Sequence, residues 1–216
     1  MTLRYHILFV EDDEREVATF RRLFEGDRFE VTAVCVQFPR LALPAVEKAL
    51  GGRAPDLVVL DLFFPVTDNT GGLAPDAVNE ARADLERVMR AAGELEAMFV
   101  DETLLTRTNK QLLLAASDIV YQSQRMLRRW CDALGQSPSG GIALMRSLHD
   151  KFPKVPKVFY SRKAAVADVK MALEAGALDV LLKPHRSLED VEAERIREAL
   201  ADYCEGKPPR WRTPLT

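Results

Sequence analysis

The run Leu57-Val58-Val59-Leu60, four apolar residues followed at once by Asp61, constrains the fold of this chain more than any other segment. A short β-branched run without polar alternation is a strand buried on both faces, which belongs in a parallel sheet covered by helices on either side. Tyr5-His6-Ile7-Leu8-Phe9-Val10 is a second such run, and it also ends on acid, Glu11-Asp12-Asp13. Between the two lie a helix with Val17, Phe20 and Leu23 on one face, a strand from Phe29 to Val36, and a short helix from about Pro44 to Leu50. That helix is stopped by Gly51-Gly52. Strands that alternate with helices indicate βαβ units.

The rhythm resumes at Ile142 with a helix through His149, a Pro-flanked strand Lys157 to Tyr160, and a helix from about Ala165 to Ala175 closed by Gly176. A fifth strand, Asp179 to Leu182, runs into Lys183-Pro184. A last helix, Leu188 to about Tyr203, has Ser187 as its cap and Gly206 with Pro208-Pro209 as its stop. The segment 206–216 reads as a Pro-rich tail.

From Pro65 to Gly140 no strand is legible and two long helices are. Val78, Ala81, Leu85, Val88, Ala92, Leu95 and Phe99 are spaced by three and four, a heptad seam, with Pro75 and Asp76 suited to the first turn. After a break near Val100-Asp101, a second helix carries the column Leu105, Leu112, Ile119, Met126, Ala133. A neighbouring column holds Leu113, Val120, Leu127 and Leu134. An antiparallel hairpin arm of about 35 to 45 Å follows from about 1.5 Å of rise per residue. Its expected joints are Gly71-Gly72 and Ser137-Pro138-Ser139-Gly140-Gly141. The domain reading is a discontinuous α/β body, 1–66 and 138–205, and an inserted arm, 67–137. The two apolar columns of the second helix exceed what one partner helix covers, so residues 72–139 are expected to meet a downstream protein partner or a second copy in a dimer.

In an open parallel sheet, functional groups gather beyond the carboxyl ends of the strands. Glu11 and Asp12 after strand one, Asp61 after strand three, Ser161 after strand four and Lys183 after strand five are expected to converge there. Crowded carboxylates repel unless a cation is present, and all-oxygen ligands select a hard one such as Mg²⁺. Asp61 is then the candidate nucleophile toward a phosphoryl donor, with Ser161 and Lys183 contacting the phosphoryl oxygens.

These residues resemble the receiver domain of two-component response regulators. His6-Ile7-Leu8-Phe9-Val10-Glu11-Asp12-Asp13 is similar to its first strand and acid pair. Asp56-Leu57-Val58-Val59-Leu60-Asp61-Leu62 with Pro65 is similar to its phosphoacceptor strand. Pro156 to Ser161 resembles its hydroxyl-bearing strand, and Gly176 through Pro184 its lysine strand. The resemblance covers about residues 4–66 and 138–204. It implies a doubly wound, flavodoxin-like sheet of order 2-1-3-4-5. It further implies a switch phosphorylated on Asp61 by a histidine kinase or phosphotransfer protein, with Mg²⁺ held by Glu11, Asp12, Asp61 and the Phe63 backbone carbonyl.

Three features depart from the family. A hundred residues separate Asp61 from Ser161, so the insert lies next to the acceptor; Arg162 follows the hydroxyl where a small residue is usual; and Val180 stands at the aromatic switch position. Arg162 is expected either to cover Asp61 or to clasp its phosphate. A phosphatase of the haloacid-dehalogenase kind wants a second Asp two residues after the first, and Phe63 occupies that place, so an enzyme is disfavoured. The alternative of another class is a pseudo-receiver scaffold that assembles through the arm without phosphate.

A net charge of −3 gives no electrostatic reason for nucleic acid or an anionic membrane as partner, and Arg107, Lys110, Arg125, Arg128 and Arg129 form no stripe with interleaved aromatics. Cys35, Cys131 and Cys204 lack metal or disulfide spacing, and His6, His149 and His185 lack metal spacing. No run of about 18 apolar residues occurs, so the chain is expected in the cytoplasm.

Overall fold

A computed structural model describes residues 4–65, 75–100, 109–184 and 189–208. The chain divides into two units, 1–67 with 136–216, and 68–135.

The first unit is built on a parallel sheet of β1 (Tyr5–Glu11), β2 (Phe29–Cys35), β3 (Leu57–Leu60), β6 (Lys157–Ser161) and β7 (Asp179–Leu182), in the order β2-β1-β3-β6-β7. This is the expected doubly wound, flavodoxin-like arrangement. Two short strands fall between the third and fourth of the sheet in sequence: β4 (Phe64–Pro65) and β5 (Gln136–Ser137) form a separate antiparallel ladder, Phe64 opposite Ser137 and Pro65 opposite Gln136. Alternation along the strands sends Ile7, Phe9, Leu57, Val59, Val158 and Tyr160 to one face. There they pack with Phe20, Leu23 and Phe24 of α1 (Glu14–Phe24) and with Ala193, Ile196 and Leu200 of α7 (Glu189–Cys204). The alternate residues Leu8, Val10, Val58, Leu60 and Phe159 are equally buried on the other face. The remaining helices of this unit are α2 (Ala42–Leu50), α5 (Pro138–Lys151) and α6 (Val166–Glu174).

Local chemistry accounts for the helix ends. Asp13 accepts the Arg15 N–H at 2.8 Å as N-cap of α1, and Glu14 and Glu16 sit in the first turn, where acid suits the positive end of the helix. Gly51 ends α2 at φ 58°, a left-handed position that an L side chain rarely adopts.

The segment 137–141, expected as a flexible joint, is instead the start of α5. Ser137 accepts the Ser139 N–H as its cap, Pro138 fills the first turn, and Gly140 and Gly141 are buried in the helix. The glycines are needed for close approach, not for freedom: a Cβ on Gly141 would stand 2.4 Å from the Leu62 carbonyl oxygen. Gln136 and Ser137, expected in the arm, belong to the first unit because their ladder to β4 holds them there. Gly71-Gly72, Leu105, Arg107, Ser187, Leu188, His185 and Trp211 lie outside the described residues.

The second unit holds α3 (Pro75–Val100) and α4 (Asn109–Ala133). Arg129 of α4 donates to Asp84 of α3 at 2.9 Å, and Arg87 also donates to Asp84. Because α3 and α4 are joined by only eight residues, pairing of Asp84 with Arg129 requires them to run antiparallel. The seam is rotated from its expected position: Leu85 is 47% exposed, while Asp84, one residue earlier, is buried. One position on a helix is about 100°, and the two guanidinium partners make that face tolerable for a carboxylate. On α4, Val120 is 55% exposed and Leu114 and Tyr121 are exposed as well, as is Leu134 just beyond the helix. Among the described residues no helix is long and apolar enough to cross a membrane.

Candidate functional site

The acids and the base of the site stand where the sheet's parallel ladder runs out. Asp61 N–H donates to the Val10 carbonyl at 3.0 Å, and Lys183 N–H to the Ser161 carbonyl at 3.2 Å, so each follows its strand in register with the neighbouring one. Glu11, Asp12, Asp61, Ser161 and Lys183 thereby line one pocket of about 390 Å³. The five are brought together from four strand ends.

Lys183 is the electrostatic centre. Its side chain is 5% exposed, and Nζ lies 2.7 Å from Glu11 Oε2, 3.3 Å from Asp61 Oδ1 and 3.5 Å from Glu16 Oε2. Burial works against its charge, but the carboxylates of Asp61, Glu11 and Glu16 outweigh burial and hold the ammonium above its ordinary range. Glu11 is pushed up to about 9, first by burial and then by the charge of Asp61, with Lys183 offsetting only part. Burial raises Asp61 too, against the pull of Lys183. Asp61 Oδ2 accepts the Phe63 N–H at 3.0 Å.

One oxygen from each of Glu11, Asp12 and Asp61 falls within 4.8 Å of the others. Three carboxylates against one buried ammonium is a site short of positive charge; burial is the first cause that raises the Glu11 and Asp61 carboxyls, and a neighbouring carboxylate adds to it in each case. An oxygen donor set of this kind fits a hard divalent cation. The Phe63 side chain is buried and its N–H faces Asp61.

Arg162 is held by partners other than Asp61. Its guanidinium donates to the Pro184 carbonyl at 2.8 Å and to Glu16 at 3.3 Å, at the pocket edge. Val180 is half-buried in β7 opposite Phe159. An aromatic ring does approach the site from another strand: Lys183 Nζ lies 5.7 Å from the centre of the Tyr160 ring.

Glu16, Gln136 and Lys163 also line the pocket, and the Tyr160 ring approaches its lysine. Glu16 contacts both Lys183 and Arg162. Gln136 Nε2 donates to Asp12 Oδ2 at 3.1 Å, and Gln136 Oε1 accepts from Lys163 Nζ. Tyr160 and Lys163 flank Ser161 in sequence and were findable as its neighbours. Glu16 lies one turn into the helix after the acid pair. Gln136 carried no signal, since nothing local marks a residue at the end of a long helix as part of a distant pocket.

No family model and no curated protein matches the chain. Solved structures do. A two-component response regulator of the LuxR family from Aurantimonas sp. SI85-9A1 is similar with TM-score 0.51 at 14% identity, over 95% of this chain and 89% of that one. The RcsB response regulator of Salmonella typhimurium is similar with TM-score 0.50 at 12% identity, over 96% of this chain and 62% of that one. The receiver domain of the Francisella response regulator 1452 is similar with TM-score 0.48 at 12% identity, over 94% of this chain and 98% of that one. At such identities the likeness concerns the fold, and by its sheet order and its neighbours this chain has the fold of a response-regulator receiver domain.

Proposed function

We propose that this protein is a signalling switch that accepts a phosphoryl group on Asp61. The observation that carries the reading is the contact of the buried Lys183 ammonium with both Glu11 and Asp61, in a pocket shared by Asp12 and Ser161. An Asp61 carboxylate oxygen attacks phosphorus in a phosphorylated histidine of a kinase or phosphotransfer protein. The P–N bond breaks with its electron pair left on the imidazole, and an acyl phosphate forms on Asp61. Lys183 stays charged throughout the neutral range and pairs with a phosphoryl oxygen, while the Ser161 hydroxyl is a donor for another. Glu11, Asp12, Asp61 and the Phe63 carbonyl would hold Mg²⁺, which when bound would supply charge neutralisation at the phosphoryl oxygens.

The output in this reading is protein–protein contact through the helical arm, with a downstream partner or a second copy. Large apolar side chains exposed on both arm helices, Met89 at 66% and Tyr121 at 61%, support that part.

The test is intact-mass measurement after incubation with Mg²⁺ and acetyl phosphate. One phosphoryl group is expected on the wild type and none on Asp61→Asn. A modified Asp61→Asn protein, or an unmodified wild type under every small-molecule and histidine-phosphate donor, would leave the pseudo-receiver scaffold as the better reading. Light scattering of the whole protein against a version with 68–135 replaced by a short linker, each with and without beryllofluoride, tests the arm. A monomer in all four samples rejects self-association.

A further inference from the structure

Gln136 enters the pocket from outside the strands that build it. It directly follows the Leu134-Gly135 turn after α4, and its backbone is tied to Pro65 in the β4–β5 ladder, four residues beyond Asp61. Its side chain does something separate from that ladder. The amide N–H₂ group donates to Asp12 Oδ2 at 3.1 Å, and the amide oxygen accepts from Lys163 Nζ. Both neighbours are half-buried pocket residues, one an acid of the carboxylate cluster and the other a cation two residues after Ser161.

A primary amide is suited to this place in a way no charged group is. It offers a donor to the carboxylate and an acceptor to the ammonium at once, and it brings no charge of its own. An acid in its place would repel Asp12, and a base would compete with any cation. With the amide removed, the ammonium of Lys163 and the carboxylate of Asp12 are left facing each other across the vacated space, each missing a partner. Opposite charges in a partly buried pocket attract strongly, so they would pair directly. That pair would withdraw a carboxylate oxygen from the cluster and add a fixed positive charge beside it.

We propose that Gln136 is a positioning residue that keeps Lys163 off Asp12, holding the Glu11–Asp12–Asp61 cluster open for a divalent cation. The proposal rests on the reading of those three acids as cation ligands. Partners that orient a ligand from behind typically change metal affinity by roughly ten- to a hundredfold when removed. The short strand that follows the insert would thus supply a residue that sets the cation affinity of a site whose ligands all lie elsewhere in the sequence.

The experiment is Mn²⁺ titration of the full-length protein, followed by loss of the free-ion signal in electron paramagnetic resonance. Gln136→Ala should bind Mn²⁺ roughly tenfold more weakly than wild type. Gln136→Ser serves as second variant, and circular dichroism confirms the fold of each, since the ladder uses only the backbone of this residue. Adding Lys163→Ala to Gln136→Ala should return the affinity to within about threefold of wild type, and Lys163→Ala alone should not weaken binding; a purely structural role for Gln136 would give no such rescue. Unchanged affinity in both Gln136 variants, or weakened affinity that Lys163→Ala fails to restore, overturns the proposal and leaves the cation reading standing. A wild type that takes up no Mn²⁺ overturns the cation reading and this proposal with it.

Discussion

Gly141 lies so close to Leu62 that a Cβ on it would stand 2.4 Å from the Leu62 carbonyl oxygen and 2.8 Å from that of Asp61. The first turn of α5 therefore rests on the backbone of the loop that follows β3. Backbone cannot swing aside as a long side chain can, so Gly141→Ala must push the helix or the loop. A loss of about 3 kcal/mol in urea unfolding is expected. Gly26, which has open space around it, is the control: Gly26→Ala should change stability by no more than about 0.5 kcal/mol.

In the proposed reading, the raised carboxyl of Glu11 makes cation binding depend on pH. Its value of about 9 in the folded protein lies far above the ordinary 4.5, so the metal-free site holds a proton at neutral pH that a cation must displace. Affinity for Mg²⁺ should rise between pH 6 and pH 9, by at most about tenfold per pH unit for one proton released. Calorimetry in buffers of different ionisation enthalpy reads that proton directly. The stability linkage runs the other way. An acid whose folded pKa is raised contributes stability that is present below its unfolded value and lost as pH rises through the folded one. The metal-free protein should thus weaken from pH 5 toward pH 9. Lys183, raised above its own ordinary range, does not titrate in that window. A flat affinity across the window would show that Glu11 carries no proton for the cation to release.

Asp84 supplies the opposite pH sign in the arm. Burial acts to raise its pKa, but hydrogen bonds and charge from Arg87 and Arg129 outweigh burial and hold the carboxyl below the usual range. The stabilisation is therefore present above the ordinary carboxylate pKa and lost as pH falls through the depressed one. Asp84→Ala strands Arg129, whose side chain is 34% exposed and can regain water, so the cost should be about 2 kcal/mol rather than that of a fully buried pair. Hydrogen exchange of the α3 amides measures it, and protection equal to wild type in Asp84→Ala would show that the pair contributes nothing.

Gly93 sits exposed inside α3 with nothing near the position of a Cβ. Gly93→Ala should stabilise the helix by about 1 kcal/mol, because alanine loses less conformational freedom on folding and adds no clash. The same exchange measurement should show slower opening along α3. No change would indicate that helix opening at Gly93 is governed by packing rather than by backbone entropy.

The strands and the strand ends that carry charge were legible in the sequence, while the order of the sheet followed from the resemblance to receiver domains. Leu57–Leu60 is apolar without alternation because it is covered on both faces, and functional groups gather beyond the carboxyl ends of such strands, which is where Asp61, Glu11 and Lys183 stand. These are local signals, readable within a few residues. The faces of the arm were only half legible, since a heptad pattern locates a seam but an ion pair across it can turn the helix by one position, as Asp84 and Arg129 do. Tertiary structure alone decided the course of Arg162 toward Glu16 and Pro184, the two-residue ladder of Phe64 and Ser137, and the arrival of Gln136 beside Asp12. Gln136 and Asp12 are separated by 124 residues, and no periodicity or turn signal spans such a distance. Their meeting depends on where a long insert comes back to the sheet, which is set by backbone pairing and close packing around Gly141 and not by any pattern near either residue.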